Sequence, residues 1–292
     1  MPENVKFELS IKKEVLIAGE PIHSDRKAFK ELELHLEVKF EEEKDEVRVQ
    51  LRRHNGRMMY DGVFNTFLCL GDPEDRFITH TESQRSSFFS NPFGKRFPNA
   101  EKYLSKQQEL KVSFTVSIHR LKIVDLRKPP KNAFNALLEL GDGFKIYVPK
   151  CKLAHYSPYF ESLFENPEDV YKLYDVNFVT FQMILYQLYG LYINYNDFVR
   201  TNYIDGVLEL ADRFQFDIIF NSFEEYLLTL SAEDSKKWLE TADKYQMFRA
   251  TKKILNRMTR EEMGKNIEVI KFKGERLSAK TMQLFIEKMA KL

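Results

Sequence analysis

The fold is decided by one stretch of sequence, Lys152-Leu153-Ala154-His155-Tyr156-Ser157-Pro158-Tyr159-Phe160-Glu161-Ser162-Leu163-Phe164. Four of its apolar residues recur at helical spacing and predict a helix with one buried face. They are Leu153, Phe160, Leu163 and Phe164. Before this stretch, Ala136–Leu140 has a strand-like composition, Gly141–Gly143 favours a tight turn, and Phe144–Val148 alternates apolar and polar residues. The pattern therefore predicts a β-hairpin that leads into a helix.

Three further helical segments follow the quoted stretch. Their apolar stripes contain Phe181, Ile184, Leu185 and Leu188, then Ile204, Val207, Leu208 and Ala211, and then Ile219, Phe223, Leu227 and Leu230. Asn177 and Asn202 stand where an N-cap would begin the first two of these helices. Val170–Tyr174 fits a short strand between the quoted stretch and these helices.

This order of hairpin, helix, strand and paired helices resembles a BTB/POZ domain over residues 133–230. The quoted stretch is similar to the family pattern V-L-A-A-H-S-P-Y-F-x-x-L-F. Further segments agree in order and spacing: Asp175-Val176, Phe181, Leu188-Tyr189-Gly190, Leu208–Phe214 and Glu224–Leu227. Two residues depart from the pattern, because Tyr156 replaces the family's histidine and Phe223 replaces the cysteine before its Glu-Glu pair. The resemblance implies a domain that docks onto another protein.

The first part of the chain has the period of β-strands. Residues 31–40 alternate strictly between an apolar and a polar face, and residues 47–51 alternate in the same way. The acidic run 41–46 between them favours a solvated hairpin turn over an acidic recognition patch. The pattern predicts an antiparallel hairpin.

Strands and turns are predicted to continue beyond this hairpin. Asn55-Gly56 and Asp61-Gly62 favour tight turns, and strands are expected over 63–70 and 112–118. Residues 74–108 show no sustained period. These features predict an antiparallel β-sandwich.

The closing part of this sandwich resembles a MATH (TRAF-like) domain. The similarity lies in Phe88–Phe97, Tyr103-Leu104 and Leu110–Ile118, where that family has an aromatic-glycine segment, a short helix and a final strand. The chain has Pro92-Phe93-Gly94 where the family usually has Trp-Gly-Phe, and its single tryptophan is Trp238, outside this region. The resemblance implies a sandwich that holds a binding partner, but it does not transfer the family's peptide-groove residues.

The predicted fold class is therefore α+β with several domains. We expect a MATH-like β-sandwich over 1–124, a linker over 125–132, a BTB/POZ domain over 133–230 and a helical extension over 231–292. Ser231–Asp234 and Thr259–Glu262 have the pattern of capping boxes that open helices of the extension. A last amphipathic segment carries Met282, Phe285, Ile286 and Met289.

Composition limits the function. The 292 residues carry 45 basic and 44 acidic side chains, a net charge of +1, so no global attraction to nucleic acid or membrane is expected. The start of the chain lacks a signal peptide and no stretch is apolar enough to span a membrane, which predicts a protein of the cytoplasm, the nucleus or both. Cys69 and Cys151 are too few for a disulfide framework and are expected to be small buried residues.

The sequence predicts no catalytic, cofactor-binding or metal-binding residues. Cys151 and His155 stand four residues apart and could form a nucleophile–base pair or half of a zinc site, but no third ligand or orienting acid is evident. The patterns HExxH, GxSxG, paired CxxC and GxGxxG before a helix are absent. We therefore expect a non-catalytic protein.

The two resemblances together imply a two-ended adaptor, the substrate receptor of a cullin–RING ubiquitin ligase. Its BTB/POZ end would dock a cullin and its MATH-like end would hold a substrate. The candidate partner-binding residues are Leu163, Phe164, Glu165, Glu168 and Asp169. Relatives that bind cullins usually carry a hydrophobic-x-acidic triplet in a longer loop, and here only Leu163-Phe164-Glu165 fits. Self-association or scaffolding without a cullin is therefore the alternative.

The resemblance also bears on the oligomeric state. Many BTB dimers pack a helix that precedes the first hairpin, and such a helix needs about 11 residues. Only the segment between Leu126 and Ala136 is available here, and Pro129-Pro130 interrupts it. The sequence therefore predicts a monomer or a weak dimer rather than a swapped-helix homodimer.

Overall fold

The structure, a computed structural model, describes residues 3–29, 32–53, 58–71, 76–87, 94–99, 109–131, 134–264 and 277–290. The chain begins with a unit of antiparallel strands and ends in helices. The elements of the first unit are β1 (Glu3–Lys12), α1 (Lys13–Ile17), β2 (Ile22–His23), β3 (Lys27–Phe29), β4 (Leu32–Glu41), β5 (Glu46–Arg53), β6 (Met58–Gly71), β7 (Arg76–Ser87), β8 (Gly94–Pro98) and β9 (Glu109–Asp125).

The strands of the N-terminal unit form two antiparallel sheets. The first has the order β1-β9-β6-β7, and the second has the order β2-β4-β5-β8 with β3 also paired to β4. Both sheets contribute to one hydrophobic cluster, which contains Phe7 and Phe114 from the first and Leu36 and Val49 from the second. The predicted hairpin of residues 31–51 is confirmed, since β4 pairs with β5 and buries every second residue.

The prediction of a turn at Asp61-Gly62 is wrong. Both residues lie inside β6, where Asp61 pairs with Lys122 on one side and with Ser87 on the other. A strand that is paired on both sides must stay extended. The pairing of β6 with β9 is irregular only after Val63, where the register shifts. The Asn55-Gly56 turn lies outside the described residues.

Residues 74–108 contain two strands that the sequence did not predict. β8 pairs with β5 and buries Phe97 opposite Val47. Its five residues are too few to show a period of their own. Residues 88–93 and Tyr103-Leu104, which carry part of the MATH resemblance, lie outside the described residues.

The next part of the chain combines a small sheet with helices. Its elements are β10 (Asn135–Leu140), β11 (Lys145–Pro149), α2 (Lys150–Tyr156), α3 (Pro158–Glu165), β12 (Tyr171–Leu173), α4 (Phe178–Leu188), α5 (Tyr195–Arg200), α6 (Ile204–Arg213) and α7 (Asp217–Thr229). The predicted hairpin is confirmed as β10 and β11, and β12 pairs with β10 in parallel. A parallel pair needs a crossover, and α2 and α3 supply it.

The single helix predicted over residues 153–164 is two helices, α2 and α3. Ser157 between them is extended, with φ −148° and ψ 111°, because the proline that follows disfavours helical geometry at this position. Its hydroxyl accepts a hydrogen bond from the backbone N–H of Phe160 at 3.1 Å, and Pro158 occupies the first turn of α3. The break brings Phe160 into the core, where its ring contacts those of Phe181, Phe214 and Phe216.

One of the two predicted N-caps is confirmed. The side chain of Asn177 accepts from the backbone N–H groups of Val179 and Thr180 at the start of α4. Asn202 is not a cap: it has a positive φ of 57°, and α6 begins after Tyr203 without a side-chain cap. Asparagine tolerates this left-handed conformation better than most residues, which suits it to the turn before α6.

The chain ends in helices, as the sequence predicts. They are α8 (Ala232–Lys236), α9 (Leu239–Lys244), α10 (Phe248–Arg257) and α11 (Ala279–Met289). Both capping patterns are present: the hydroxyl of Ser231 accepts from the N–H of Asp234, and Thr259 and Glu262 bond reciprocally. Trp238 packs edge-on against Phe223 of α7, with 5.3 Å between ring centroids. The extension is therefore built onto the preceding domain.

Candidate functional site

The predicted partner-binding residues lie at the end of α3 and in the loop before β12. Phe164 is half-buried, and its ring stands edge-on to Tyr171 at 5.0 Å and contacts Phe160 at 5.7 Å. The ammonium group of Lys150 lies 5.6 Å from the centroid of Phe164 and 4.9 Å from that of Tyr171. The ammonium group is near the Phe164 ring and also donates a hydrogen bond to the Tyr171 hydroxyl, so α2, α3 and β12 are tied together at this point.

The hydroxyl of Tyr171 organises the loop. It accepts hydrogen bonds from Lys150 Nζ at 2.7 Å and from the backbone N–H of Glu168 at 3.2 Å, and it donates to the carbonyl of Asn166 at 3.1 Å. The side chain itself is buried, so these bonds are shielded from water. The loop therefore has a fixed shape despite lying on the surface.

The acidic side chains of the loop point into solvent. Glu165, Glu168 and Asp169 are exposed, and none of them makes an ion pair with another residue in the described part of the chain. Leu163 is half-buried and packs against the core. The surface therefore consists of a half-buried aromatic ring beside three unpaired carboxylates, which suits a partner that offers both apolar and basic side chains.

Three residues near this surface were not predicted from the sequence: Lys150 and the buried Tyr171, which support the loop, and Phe134, whose backbone is bonded to that of Lys150. The carbonyl of Phe134 accepts from the backbone N–H of Lys150 at 2.8 Å, and the Phe134 side chain is 90% exposed. The exposed phenyl ring, at the start of the BTB/POZ hairpin, adds apolar area that a partner could cover. No local pattern identifies these three residues, because their contacts join segments that are distant in sequence.

A second surface lies on the outer face of the first N-terminal sheet. There a groove of about 690 Å³ crosses β1, β9 and β6. Its lining mixes charged, polar and apolar side chains from all three strands: Lys6, Glu8, Leu9, Ser10, Phe67, Cys69, Lys111, Val112, Ser113 and Thr115. Lys6 forms an exposed ion pair with Glu8, and this hydrogen bond lowers the pKa of Glu8. The volume of the groove falls within the range of ligand sites.

The described residues hold no cluster of three or more His, Cys, Asp or Glu side chains that could bind a metal. His155 is exposed and packs edge-on against Tyr156. The expectation that both cysteines are buried is wrong for Cys151, which is exposed, whereas Cys69 is buried. Leu153 takes the buried face of α2, and Cys151, two residues earlier, points away from it.

These features define a domain class. A hairpin, two short crossover helices, a parallel third strand and a helical bundle coincide with the match of the BTB/POZ domain family model to residues 125–231. This part of the chain is a BTB/POZ domain, a module that mediates protein–protein interactions.

Two relatives from Caenorhabditis elegans carry the comparison further. The chain is similar to "BTB and MATH domain-containing protein 15", with 31% identity over 122 residues, 40% of this chain and 42% of that protein. It is also similar to "BTB/POZ domain-containing protein Y57A10B.3", with 28% identity over 131 residues, 44% of this chain and 41% of that protein. The chain thus matches less than half the length of either relative. Within the described residues, no helix is long and apolar enough to cross a membrane.

Proposed function

We propose that this protein is a non-catalytic adaptor that joins two proteins. The BTB/POZ domain docks a scaffold through the surface around Phe164, and the N-terminal unit holds a second protein. The observation that carries the proposal is the loop fixed by Tyr171, which presents Glu165, Glu168 and Asp169 without internal ion-pair partners in the described residues. A rigid surface with unpaired charges loses little entropy on binding and steers a basic partner toward it.

More specifically, we propose that the protein is a substrate receptor of a cullin–RING ubiquitin ligase. In this form the scaffold is a cullin, and the N-terminal unit is a MATH-like sandwich over residues 1–124 that is joined by a linker to the BTB/POZ domain over 133–230. Two antiparallel sheets around one core support the sandwich. The name of one relative contains both domain types, and the similarity of this chain to it lies in the BTB region only. The groove on the first sheet is the proposed substrate surface. The adaptor would act inside the cell, in the cytoplasm or the nucleus.

A second candidate is a BTB protein that self-associates or scaffolds without a cullin. Leu163 and Phe164 both pack against the domain's own core, so only part of the apolar half of the Leu163-Phe164-Glu165 triplet is available to a partner. Affinity purification of the full chain with mass spectrometry separates the two candidates. Co-purification of a cullin and its RING partner supports the first, and a chain that captures only itself supports the second.

Charge reversal tests the docking surface directly. The variant Glu165→Lys, Glu168→Lys, Asp169→Lys is expected to weaken scaffold binding at least tenfold, about 1.4 kcal/mol, without unfolding the domain. The matched control reverses three exposed acids of the N-terminal unit: Glu20→Lys, Asp25→Lys and Glu43→Lys. Equal binding by the loop variant and the wild type would refute the docking surface. An equal loss in both variants would show a general charge effect instead.

Phe164 tests the apolar part of the surface. Phe164→Leu keeps most of the packing against Phe160 and Tyr171 and is expected to reduce stability by only about 1 kcal/mol. If the ring anchors a partner, binding falls more than stability does. Parallel thermal melts and pulldowns compare the two, and an unchanged pulldown would exclude the ring as an anchor.

A further inference from the structure

We propose that the start of β6 and the end of β9 form a rigid joint that holds the N-terminal unit in one orientation on the BTB/POZ domain. The joint consists of residues 58–60 and 122–126. Its existence is independent of the proposed function, whereas its consequence for presenting a partner rests on the adaptor role.

The two strands of the joint are shared between two hydrophobic cores. Met59 pairs with Val124, and both pack against the core of the BTB/POZ domain, with Met59 fully buried. The next pair, Tyr60 and Ile123, packs against the core of the N-terminal unit. Successive side chains of a strand point to opposite faces, so this short paired segment of β6 and β9 contributes side chains to both cores.

A buried hydrogen bond reinforces this contact. The backbone N–H of Tyr60 donates to the hydroxyl of Tyr186 at 3.1 Å, and the Tyr186 side chain is fully buried in α4. Tyr60 directly precedes Asp61, which pairs with Ser87 of β7. A buried backbone donor is costly to leave unpaired, which favours the docked orientation.

Two more contacts hold the end of β9. Lys122 Nζ donates to the carbonyl of Tyr189, just after α4, at 2.6 Å. Leu126 is fully buried in the BTB/POZ core, and its carbonyl accepts from the backbone N–H of Tyr147 in β11 at 2.8 Å. The joint residues that make these contacts, 58–60 and 122–126, all precede Pro129-Pro130 in the sequence. The orientation is therefore determined by packing at the joint and not by the linker that follows it.

Units joined by a linker usually move relative to each other unless a hydrophobic interface prevents it. Met59 and Leu126 supply such an interface here, and Tyr186 adds a directional bond. The groove on the first sheet and the loop of residues 165–169 should therefore keep a constant distance. A protein held at one end would then be presented to the scaffold in a single geometry, without the spread of positions that a flexible tether allows.

Spin-label distance measurements on the full chain test the joint. Labels are attached to the exposed native Cys151 and to the exposed position of Glu43 through Glu43→Cys, with Cys69→Ala removing the other thiol. We expect one narrow distance distribution. Insertion of four Gly-Ser residues between Pro129 and Pro130 should leave it narrow, whereas Met59→Ala with Leu126→Ala should broaden it.

Each outcome decides the question. Any of three results would overturn the rigid joint: a broad distance distribution in the parent chain, a distribution broadened by the linker insertion, or one that the alanine pair does not broaden. If the alanine pair fails to fold by circular dichroism, the linker insertion still provides the decisive comparison. These measurements need no partner, so absence of a cullin in purifications would refute the proposed function and leave the joint intact.

Discussion

Glu224 is predicted to be the main attachment of α10 to the BTB/POZ domain. It is only 8% exposed on α7, and its Oε1 accepts from the backbone N–H groups of Arg249 at 2.8 Å and Ala250 at 3.2 Å. Met247, at the N-cap position of α10, makes no side-chain cap. Glu224 therefore caps α10 from another helix, in place of the side-chain cap that Met247 does not provide. Its negative charge lies at the positive end of α10.

The variant Glu224→Ala is expected to lower the free energy of unfolding by about 2 to 4 kcal/mol. Loss of a helix cap contributes about 1 kcal/mol, and the remainder comes from the buried N–H of Ala250 and the part-buried N–H of Arg249, which both lose a charged acceptor. Urea denaturation followed by the fluorescence of Trp238 measures this change. The single tryptophan is a local probe, because its ring contacts Phe223 beside the mutated residue.

Glu225→Ala is the matched control for this prediction. Glu225 is the next residue and also bonds to the Arg249 guanidinium, but its side chain is 64% exposed and it caps no backbone group. An exposed ion pair contributes little, so the control should change stability by less than about 1 kcal/mol. Equal destabilisation by the two variants would refute the capping role of Glu224.

Three other positions have specific expectations. Gly141→Ala should destabilise the BTB/POZ domain by about 1 to 3 kcal/mol in urea titrations, because a Cβ atom would lie 2.7 Å from the backbone nitrogen of Asp175; a neutral result would mean that the turn relaxes easily. Asp243→Ala removes the carboxylate that accepts both bonds from Ser278, so amide exchange should accelerate in residues 279–289 while other helices stay protected. A hydrogen bond from Arg127 lowers the pKa of Asp125 in the folded protein, so the stability that this carboxylate contributes is fully present above its unfolded pKa and is lost as the pH falls through the lower, folded pKa. Asp125→Asn should therefore flatten the acid-side loss of stability, and identical pH profiles would contradict this assignment.

The parts of the fold that were predictable from the sequence depend on local patterns. The strict alternation of residues 32–40 predicts β4 because burial on one face leaves only one register. Asn177 predicts its helix start because an N-cap acts within three residues. The acidic loop after Phe164 was found through its resemblance to a family, and its exposure agrees with that proposal.

The parts that were not predictable depend on contacts between distant segments. Asp61-Gly62 has the composition of a turn, yet strands on both sides hold it extended. β8 has no pattern of its own and is defined by pairing with β5. Tyr171 organises the candidate site through bonds to Lys150 and to its own loop, and Met59 reaches a core whose other residues come much later in the chain. Propensity is a weak guide wherever such tertiary contacts determine the conformation.

The attachment of α10 affects whether the BTB/POZ domain can be separated from the helices that follow it. The family match stops at residue 231, but Lys253 of α10 donates to the carbonyl of Leu228 in the last turn of α7, and Arg257 donates to the carbonyl of Leu230 just after that helix. A fragment cut at that boundary would lose these donors and would expose the face of Phe223 that Trp238 covers. We therefore expect a fragment that ends at residue 231 to be less stable than one that includes α10. Recombination that moved the BTB/POZ domain into another protein would then have to transfer α10 with it.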